Sequence, residues 1–195
     1  MSASLPVNNF AELVAWTKSK SGTISYGSYG VGSQAHLMGE MFKRLTATDI
    51  VHVPYKGSAP AVADVIGGQV VFTFPAIPTV LGFIKSGRVK VLAISGEKRS
   101  PLLPEVPTFS EVGFKDMDIG AWYAFFAPAG TPREVVARLN AAVATMLSNQ
   151  EFVDRQLAPQ GMLQMNLTTD QVAALMKSES ERMARIVRLS GAKAE

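Results

Sequence analysis

The stretch YGSYGVGSQAHLM at residues 26–38 combines three glycines with small hydroxyl and amide side chains, immediately before a sequence with helical spacing. Glycine adopts positive φ angles and lets a ligand approach the backbone without meeting a Cβ atom. The first turn of the following helix carries N–H groups that have no intrahelical acceptor. The combination predicts a cradle for a small anion.

We call residues 28–34 the glycine loop. Its predicted donors are the backbone N–H groups of Gly32, Ser33 and Gln34, joined by the hydroxyls of Ser28 and Ser33. The predicted ligand-binding residues here are Ser28, Tyr29, Gly30, Val31, Gly32, Ser33 and Gln34. An ordinary strand-to-helix turn is the alternative, because Gly-x-Gly turns are common and the full dinucleotide-binding fingerprint is absent.

Other reactive side chains give weaker signals. His36 falls in the first turn of the helix, where packing is favoured over contact with an anion, and His52 in a strand is interpreted as structural. Two histidines without a clustered carboxylate or cysteine predict no metal site, and no cofactor is predicted. Ser33 and His36 lack an acid to orient the imidazole, so a hydrolase triad is not supported. No catalytic residue is therefore predicted.

Composition limits the partners. The 195 residues are 47% hydrophobic and 18% charged, as in a well-packed globular protein. The net charge of +3 comes from 19 basic and 16 acidic residues spread along the chain, which argues against nucleic-acid binding. Cysteine is absent, which excludes disulfides. The first ten residues lack the pattern of a secretory signal, and no transmembrane segment is predicted.

The elements that must position the loop alternate along the first part of the chain. Strands are predicted at 23–28, 50–53, 70–74 and 89–95, and helices at 9–20, 35–45, 58–66 and 78–86. Ser58 is predicted to cap the third helix. Such alternation indicates a parallel sheet covered by helices, in which ligands bind beyond the carboxyl ends of the strands.

The second part of the chain has a different pattern. A proline-rich connection begins at Lys98 and is followed by a predicted buried strand at 117–127, where Trp122 is either core or a platform for a ligand. Helices are predicted at 132–148, 149–157 and 168–189, with a short strand at 162–165. A helical tail of about 65 residues is too small to bury a core of its own. We therefore expect it to need a partner surface.

Four ordered motifs carry a resemblance to a known family. They are YGSYGVGSQAHLMGEMF, IVHVPYKGSAPAVADVIGGQV, IKSGRVKVLAISGEKRSPLLPEVPTFSEVGF and WYAFFAPAGTPREVVARLN. Together they resemble the tripartite tricarboxylate transporter receptors, or Bug proteins, and the similarity runs from about Pro6 to SGAK at 190–193. The resemblance implies a periplasmic binding protein of type II-like α/β fold with two lobes that close on a small carboxylate.

The family also implies how the chain is organised. Residues 5–120 match the second, ligand-binding lobe, whereas residues 121–195 match a crossing strand and helices that complete the first lobe. The resemblance implies that a signal peptide and about 100 further residues, which family members carry before the position of Pro6, are missing here. We expect the exposed C-terminal helices either to fold back on residues 5–120 in an arrangement unlike that of the family or, as the favoured outcome, to pair with another chain as a homodimer.

The resemblance adds residues to the site. In the family the loop matching FTFPAIP at 72–78 borders the cleft, which adds Phe74, Pro75 and Ala76 to the predicted ligand-binding residues, and Trp122 on the crossing strand is kept. Many relatives have Asp or Asn near Phe74 or Pro75, so the apolar version here favours a ligand with an aromatic or aliphatic body. The implied function is capture of an organic carboxylate for the membrane components of a tripartite transporter. A small α/β enzyme with an oxyanion site is the alternative.

Overall fold

The structure, a computed structural model, describes residues 1–191, so the last two residues of SGAK and the last four of the segment 121–195 lie outside it. The described residues form two compact units. The sheet unit comprises Met1–Gly120 and the described residues from Arg185 onward, and the helical unit comprises Ala121–Ala184. The assignment of the segments 5–120 and 121–195 to two lobes of a receptor stays a prediction.

Helices and parallel strands alternate in the sheet unit. In chain order they are α1 (Phe10–Ser19), β1 (Ser25–Ser28), α2 (Gln34–Thr46), β2 (Val51–Pro54), α3 (Ser58–Ile66), β3 (Phe72–Thr73) and α4 (Ile77–Lys85), followed by a short 3-10 turn at Lys115–Met117. The three strands form one parallel sheet in the order β2-β1-β3. The predicted α/β class is confirmed.

Side-chain caps explain where the first two helices begin. Asn9 Oδ1 accepts the N–H of Glu12 at 2.8 Å, and the Glu12 carboxylate accepts the N–H of Asn8 at 2.8 Å. Ser33 Oγ accepts the N–H of His36 at the start of α2. The caps at Asn9 and at Ser33 satisfy N–H donors that have no acceptor within the helix, and the pair formed with Glu12 is reciprocal.

The predicted cap of α3 is wrong. Gly57, at φ 124°, precedes the helix, and Ser58 is its first residue. A capping side chain must stand on extended backbone outside the helix, and Ser58 already has a helical position. Its buried Oγ has no hydrogen-bond partner among the described residues.

Aromatic rings form the centre of the sheet unit. Phe42, fully buried on α2, makes edge-to-face contacts with Phe10 of α1 at 5.9 Å and with Phe72 of β3 at 5.2 Å. Tyr26, fully buried on β1, stacks on Phe72 at 5.9 Å. Each ring buries a large apolar area, so these contacts help to hold α1, α2 and the sheet together.

Residues 89–95 do not form the predicted strand. They make two isolated bridges, Ser2 with Val89 and Ile94 with Thr108, and no ladder. The proline-rich connection lies where a neighbouring strand would pair with these residues. The Ile94 N–H donates to the carbonyl of Pro107 at 3.0 Å, and the Ile94 carbonyl accepts the N–H of Phe109 at 2.9 Å. Proline lacks the N–H that a continuous ladder requires.

The helical unit contains α5 (Arg133–Ser148), α6 (Gln150–Phe152), a π turn at Val153–Leu157, a 3-10 turn at Ala158–Gln160 and most of α7 (Thr169–Ser190). The predicted strands at 117–127 and 162–165 are wrong. A strand needs a hydrogen-bonded neighbour, and within the described residues no segment pairs with either one.

Burial changes at Gly120. Met117 and Ile119 are buried, but Tyr123 and Phe125 are 81% and 82% exposed, which contradicts the prediction of a buried strand beyond that glycine. Within residues 1–191, no helix combines the length and the apolar character needed to cross a bilayer.

Candidate functional site

Three strand ends define the candidate site. Because β1 pairs with β2 and with β3 in parallel, the loops that follow Ser28, Pro54 and Thr73 leave the sheet at the same edge. We call it the C-terminal edge. The glycine loop follows the central strand, so it lies between the other two loops. Ligands of open α/β sheets bind beyond this kind of edge.

The glycine loop has a left-handed backbone at two positions. Gly30 has φ 138° and Gly32 has φ 74°. A Cβ atom placed on either glycine would meet no atom within 4 Å, so the space beside the loop is open. Gly32 is itself exposed. These features match the predicted need for backbone that a ligand can approach.

The hydroxyls of the loop are used internally. Ser28 Oγ, fully buried, donates to the carbonyl of Gly30 at 3.0 Å and accepts the N–H of the same residue at 3.2 Å. Ser33 Oγ donates to the Gly30 carbonyl at 2.6 Å. Both hydroxyls therefore form hydrogen bonds within the loop, around Gly30.

Two of the three predicted backbone donors already have acceptors. The Gly32 N–H donates to His36 Nδ1 at 3.0 Å, and the Ser33 N–H donates to the Gly30 carbonyl at 3.2 Å. In the part of the chain that the structure describes, the N–H groups of Val31 and Gln34 have no acceptor, and both residues are half-buried. We call these two groups the free loop donors.

Side chains also fix the end of the loop. Tyr29 Oη donates to Gln34 Oε1 at 3.4 Å, and Gln34 Nε2 donates to the carbonyl of Ile119. The Gln34 side chain is thus occupied, which leaves its backbone N–H as the group that can receive a ligand. The first turn of α2 places this N–H where the helix dipole favours negative charge.

Two stacked histidines lie beneath the loop. The rings of His36 and His52 are 4.0 Å apart and nearly parallel, and His52 Nε2 is 2.7 Å from Ser28 Oγ. Burial lowers the pKa of His52 to about 4, with a further contribution from His36, and burial also lowers the pKa of His36. Both rings are neutral at pH 7. The sequence predicted packing roles for them, but it did not predict that they support the loop.

The loop after β3 contributes an apolar wall. Phe74 is half-buried and makes an edge-to-face contact with Phe72 at 5.5 Å, Pro75 is half-buried, and Ala76 is exposed at the start of α4. These predicted residues leave the sheet at the same edge as the glycine loop. Trp122 is half-buried in the helical unit, and its contact with a ligand stays a prediction.

An open groove of about 790 Å³ lies elsewhere in the sheet unit, at the N-terminal turn of α1. Phe10, Val106 and Phe114 are among its lining residues, and none of the predicted ligand-binding residues is. Within residues 1–191, no group of three or more His, Asp or Glu side chains could hold a metal ion. The C-terminal edge is therefore the candidate site.

Comparison with known proteins gives a consistent set of similarities. A sequence profile described as tripartite tricarboxylate transporter family receptor matches residues 1–191. The protein BugT of Bordetella pertussis is 36% identical over 189 residues, which are 97% of this chain and 58% of BugT. The chain thus spans less than two thirds of that relative.

Solved structures show the same similarity in three dimensions. Rpa4515 of R. palustris, solved with adipate, superposes with a TM-score of 0.86 at 31% identity over 97% of this chain and 63% of that chain. MatC of Rhodopseudomonas palustris, solved with bound malate, gives a TM-score of 0.74 at 27% identity over 97% of this chain and 64% of that chain. Both neighbours bind small dicarboxylates.

Proposed function

The chain belongs to the tripartite tricarboxylate transporter receptor family, and on that premise we propose that it binds a small organic carboxylate at the C-terminal edge. Members of the family are periplasmic solute-binding receptors, not enzymes. The enzyme alternative fails on this ground. In addition, Ser33 Oγ donates to a backbone carbonyl rather than to an imidazole base.

One observation carries the proposal. The free loop donors, the N–H groups of Val31 and Gln34, stand beside an exposed left-handed glycine at the start of a 13-residue helix. A carboxylate oxygen at this place accepts both N–H groups and meets the positive end of the helix dipole. Charge-assisted hydrogen bonds of this kind contribute about 1.5 to 3 kcal/mol each.

The wall after β3 sets the chemical class of the ligand. Phe74, Pro75 and Ala76 offer carbon surface and no charged group, so the body of the ligand is aliphatic or aromatic and its charge is at the glycine loop. Adipate and malate in the two neighbours fit the requirement for a carboxylate at one end. The complete receptor would deliver such a ligand to the membrane components of a tripartite transporter in the periplasm.

Calorimetry tests the proposal with a matched pair of ligands. We expect adipate to bind this chain and 1,6-hexanediol, which has the same carbon chain without charge, to give no heat of binding. Because this chain spans less than two thirds of its relatives, the affinity is expected to be weaker than about 1 μM, which corresponds to about 8 kcal/mol. Equal heats for the acid and the diol would contradict a carboxylate site.

A matched pair of glycine variants tests the place of binding. Gly32→Val puts a branched side chain at φ 74° in the open approach to the loop, and Gly22→Val puts the same side chain at φ 79° in a turn before β1. Backbone strain is thus similar in the two variants. We expect Gly32→Val to weaken adipate binding about tenfold or more and Gly22→Val to leave it within about twofold. The opposite ranking would remove the glycine loop from the site.

A further inference from the structure

One contact links the exposed turn of the glycine loop to the helix behind it. The Gly32 N–H donates to His36 Nδ1 at 3.0 Å. The Gly32 N–H belongs to the peptide group that joins Val31 to Gly32, so this bond fixes that group, which is one peptide away from the Val31 N–H and two away from the Gln34 N–H. The orientation of the two free loop donors, at Val31 and Gln34, therefore depends in part on the His36 ring.

Neighbouring elements hold that ring in place. His52 of β2 stacks on His36 at 4.0 Å, and Tyr26 of β1 stacks on the His52 ring at 5.1 Å. Ser28 Oγ lies 2.7 Å from His52 Nε2, and the His36 N–H donates to Ser33 Oγ. The position of Nδ1 is thus set by two strands and by the helix cap rather than by the loop alone.

The contact requires a neutral ring. A nitrogen accepts a hydrogen bond only without a proton, so Nδ1 is unprotonated here and the neutral ring carries its proton on Nε2. A second proton on Nδ1 would point at the Gly32 N–H and replace an attraction by a repulsion of two donors. His36 is the third residue of α2, where the helix dipole also disfavours positive charge.

The charged groups around the two rings are few. Glu40 and Lys43 of α2 act on both rings, with opposite effects on their protonation, and they pair with each other at 3.1 Å. Tyr26 Oη donates to Glu40 Oε1 at 2.9 Å, so this phenol faces the pair as a neutral group. Burial is the largest influence on both histidines, and it favours the neutral form.

We propose that His36 is a positioning residue of the ligand site: its unprotonated Nδ1 holds Gly32, and through it the free loop donors, in the arrangement that receives a carboxylate. Proton uptake by His36 releases Gly32 and lowers the affinity for the ligand. The effect on affinity rests on the proposed function. The contact between His36 and Gly32 exists without a ligand, so it is tested separately.

Two variants separate the acceptor from the bulk of the ring. His36→Asn retains a side-chain oxygen near the position of Nδ1 that accepts a hydrogen bond at every pH of interest, whereas His36→Leu fills similar space and accepts none. At about pH 7.5 we expect His36→Asn to bind adipate within about threefold of the wild type, and His36→Leu to bind about tenfold more weakly, as the loss of one hydrogen bond predicts.

The pH profile gives a readout that a packing role would not move. As the pH falls from about 7.5 through the lowered pKa of His36, we expect the affinity of the wild type for adipate to fall further than that of His36→Asn, because only the wild type loses its acceptor. Protonation of adipate itself affects both proteins equally, so the variant serves as the control. Identical profiles, or a His36→Leu protein that binds as tightly as His36→Asn, would overturn the proposal.

Spectra of the ligand-free protein decide the contact itself. In ¹⁵N-labelled wild-type protein, the Gly32 amide is expected to shift with the titration of the His36 ring, and in His36→Asn it should stay constant. If the chemical shift of the Gly32 amide does not change as His36 titrates, the contact does not exist in solution, and this result is independent of ligand binding. If adipate binds to no form but Gly32 follows His36, the proposed function fails and the positioning contact stands.

Discussion

The two units of this protein have similar helical patterns but very different burial. In the sheet unit, α2 has eight buried residues among its thirteen. In the helical unit, α5 has sixteen residues and none of them is buried. Among the described residues of the helical unit, Val153 alone is buried. An amphipathic pattern therefore produced a helix in both units, but a core in only one.

The reason is the presence of a second layer. α2 packs over the parallel sheet through Phe42 and Tyr26, and these rings fill the space between helix and strands. The helical unit has no strand among its described residues, so its apolar side chains have no sheet to cover. Helix formation is local, whereas burial needs a surface of matching shape from elsewhere in the fold.

The largest expected effect comes from the same truncation made in each unit. Leu37→Ala removes a side chain that is 4% exposed, and Leu139→Ala removes one that is 55% exposed on α5. We expect the first to lower the free energy of unfolding by about 2 to 5 kcal/mol and the second by less than about 0.5 kcal/mol. Urea unfolding measures both, with Trp16 reporting the sheet unit and Trp122 the helical unit.

Similar losses for the two leucines would mean that α5 is covered in solution. Each unit contains one tryptophan, so a change in fluorescence can be assigned to one unit. Trp122→Phe leaves Trp16 as the only reporter, and Trp16→Phe leaves Trp122. If Leu139→Ala lowers the stability reported by Trp122 alone, then Leu139 is covered by another surface within or against the helical unit.

A second effect concerns close packing in the sheet unit. A Cβ atom on Gly39 of α2 would lie 2.0 Å from the Tyr26 ring, whereas one on Gly82 of α4 would meet nothing within 4 Å. Gly39→Ala is therefore expected to cost about 1 to 3 kcal/mol or more through overpacking, and Gly82→Ala to gain up to about 1 kcal/mol from helix propensity. Thermal unfolding compares them, and equal stability of the two variants would contradict the packing of Tyr26 against α2.

A third effect concerns the exposed apolar side chains of the helical unit. Phe125 is 82% exposed and Leu163 is 73% exposed, and large apolar side chains left in water are candidates for an interaction surface. We expect the protein to form a homodimer through this unit, and Phe125→Ala to weaken the dimer about tenfold. Sedimentation velocity over a range of concentrations measures it.

Val51→Ala is the matched control for that experiment. Val51 is an exposed apolar residue, 55% accessible, on β2 of the sheet unit, and its truncation should leave the association unchanged. A protein that stays monomeric at all concentrations, or a dimer that weakens equally in both variants, would show that the helical unit is not the contact.

The smallest expected effect is a dependence on pH confined to the sheet unit. Both histidines of the chain are there, and burial lowers the pKa of His52 to about 4 and lowers that of His36. Below the ordinary histidine pKa of about 6.5, the unfolded chain takes up protons before the folded one. The contribution of the two histidines to the free energy of unfolding is thus fully present above about pH 6.5, and it is lost as the pH falls toward 4.

The urea midpoint reported by Trp16 should therefore move down between about pH 7 and about pH 5, while the midpoint reported by Trp122 stays nearly constant. The helical unit contains no histidine and serves as the internal control. A parallel decrease of both midpoints would show that the buried histidines are not its source.

Local signals predicted much of the fold. The cap at Asn9, the helical spacing after Ser33 and the break at Gly67 gave α1, α2 and α3 with ends close to those observed. The strand predictions were weaker, because residues 89–95, 117–127 and 162–165 have strand-forming composition but no paired ladder. A strand depends on a neighbour that the local sequence does not specify.

The candidate site divides in the same way. Its glycines and small polar residues were visible in the sequence, and so was the helix that begins after Ser33. The use of the Ser28 hydroxyl inside the loop was not visible, and neither was the contact of Gly32 with His36 Nδ1. Both contacts depend on χ angles and on the stacking of His52, which comes from another strand.

The sequence by itself determined the helices and the turns at glycine, because caps, φ preferences and periodicity act within a few residues, and it predicted an anion-binding role for the loop. Only the tertiary structure decided which apolar faces are buried and which N–H groups stay open. Those outcomes depend on the pairing of β1 with β2 and β3, which joins residues far apart in the chain. Burial and hydrogen-bond satisfaction are properties of such contacts, and a local pattern cannot specify them.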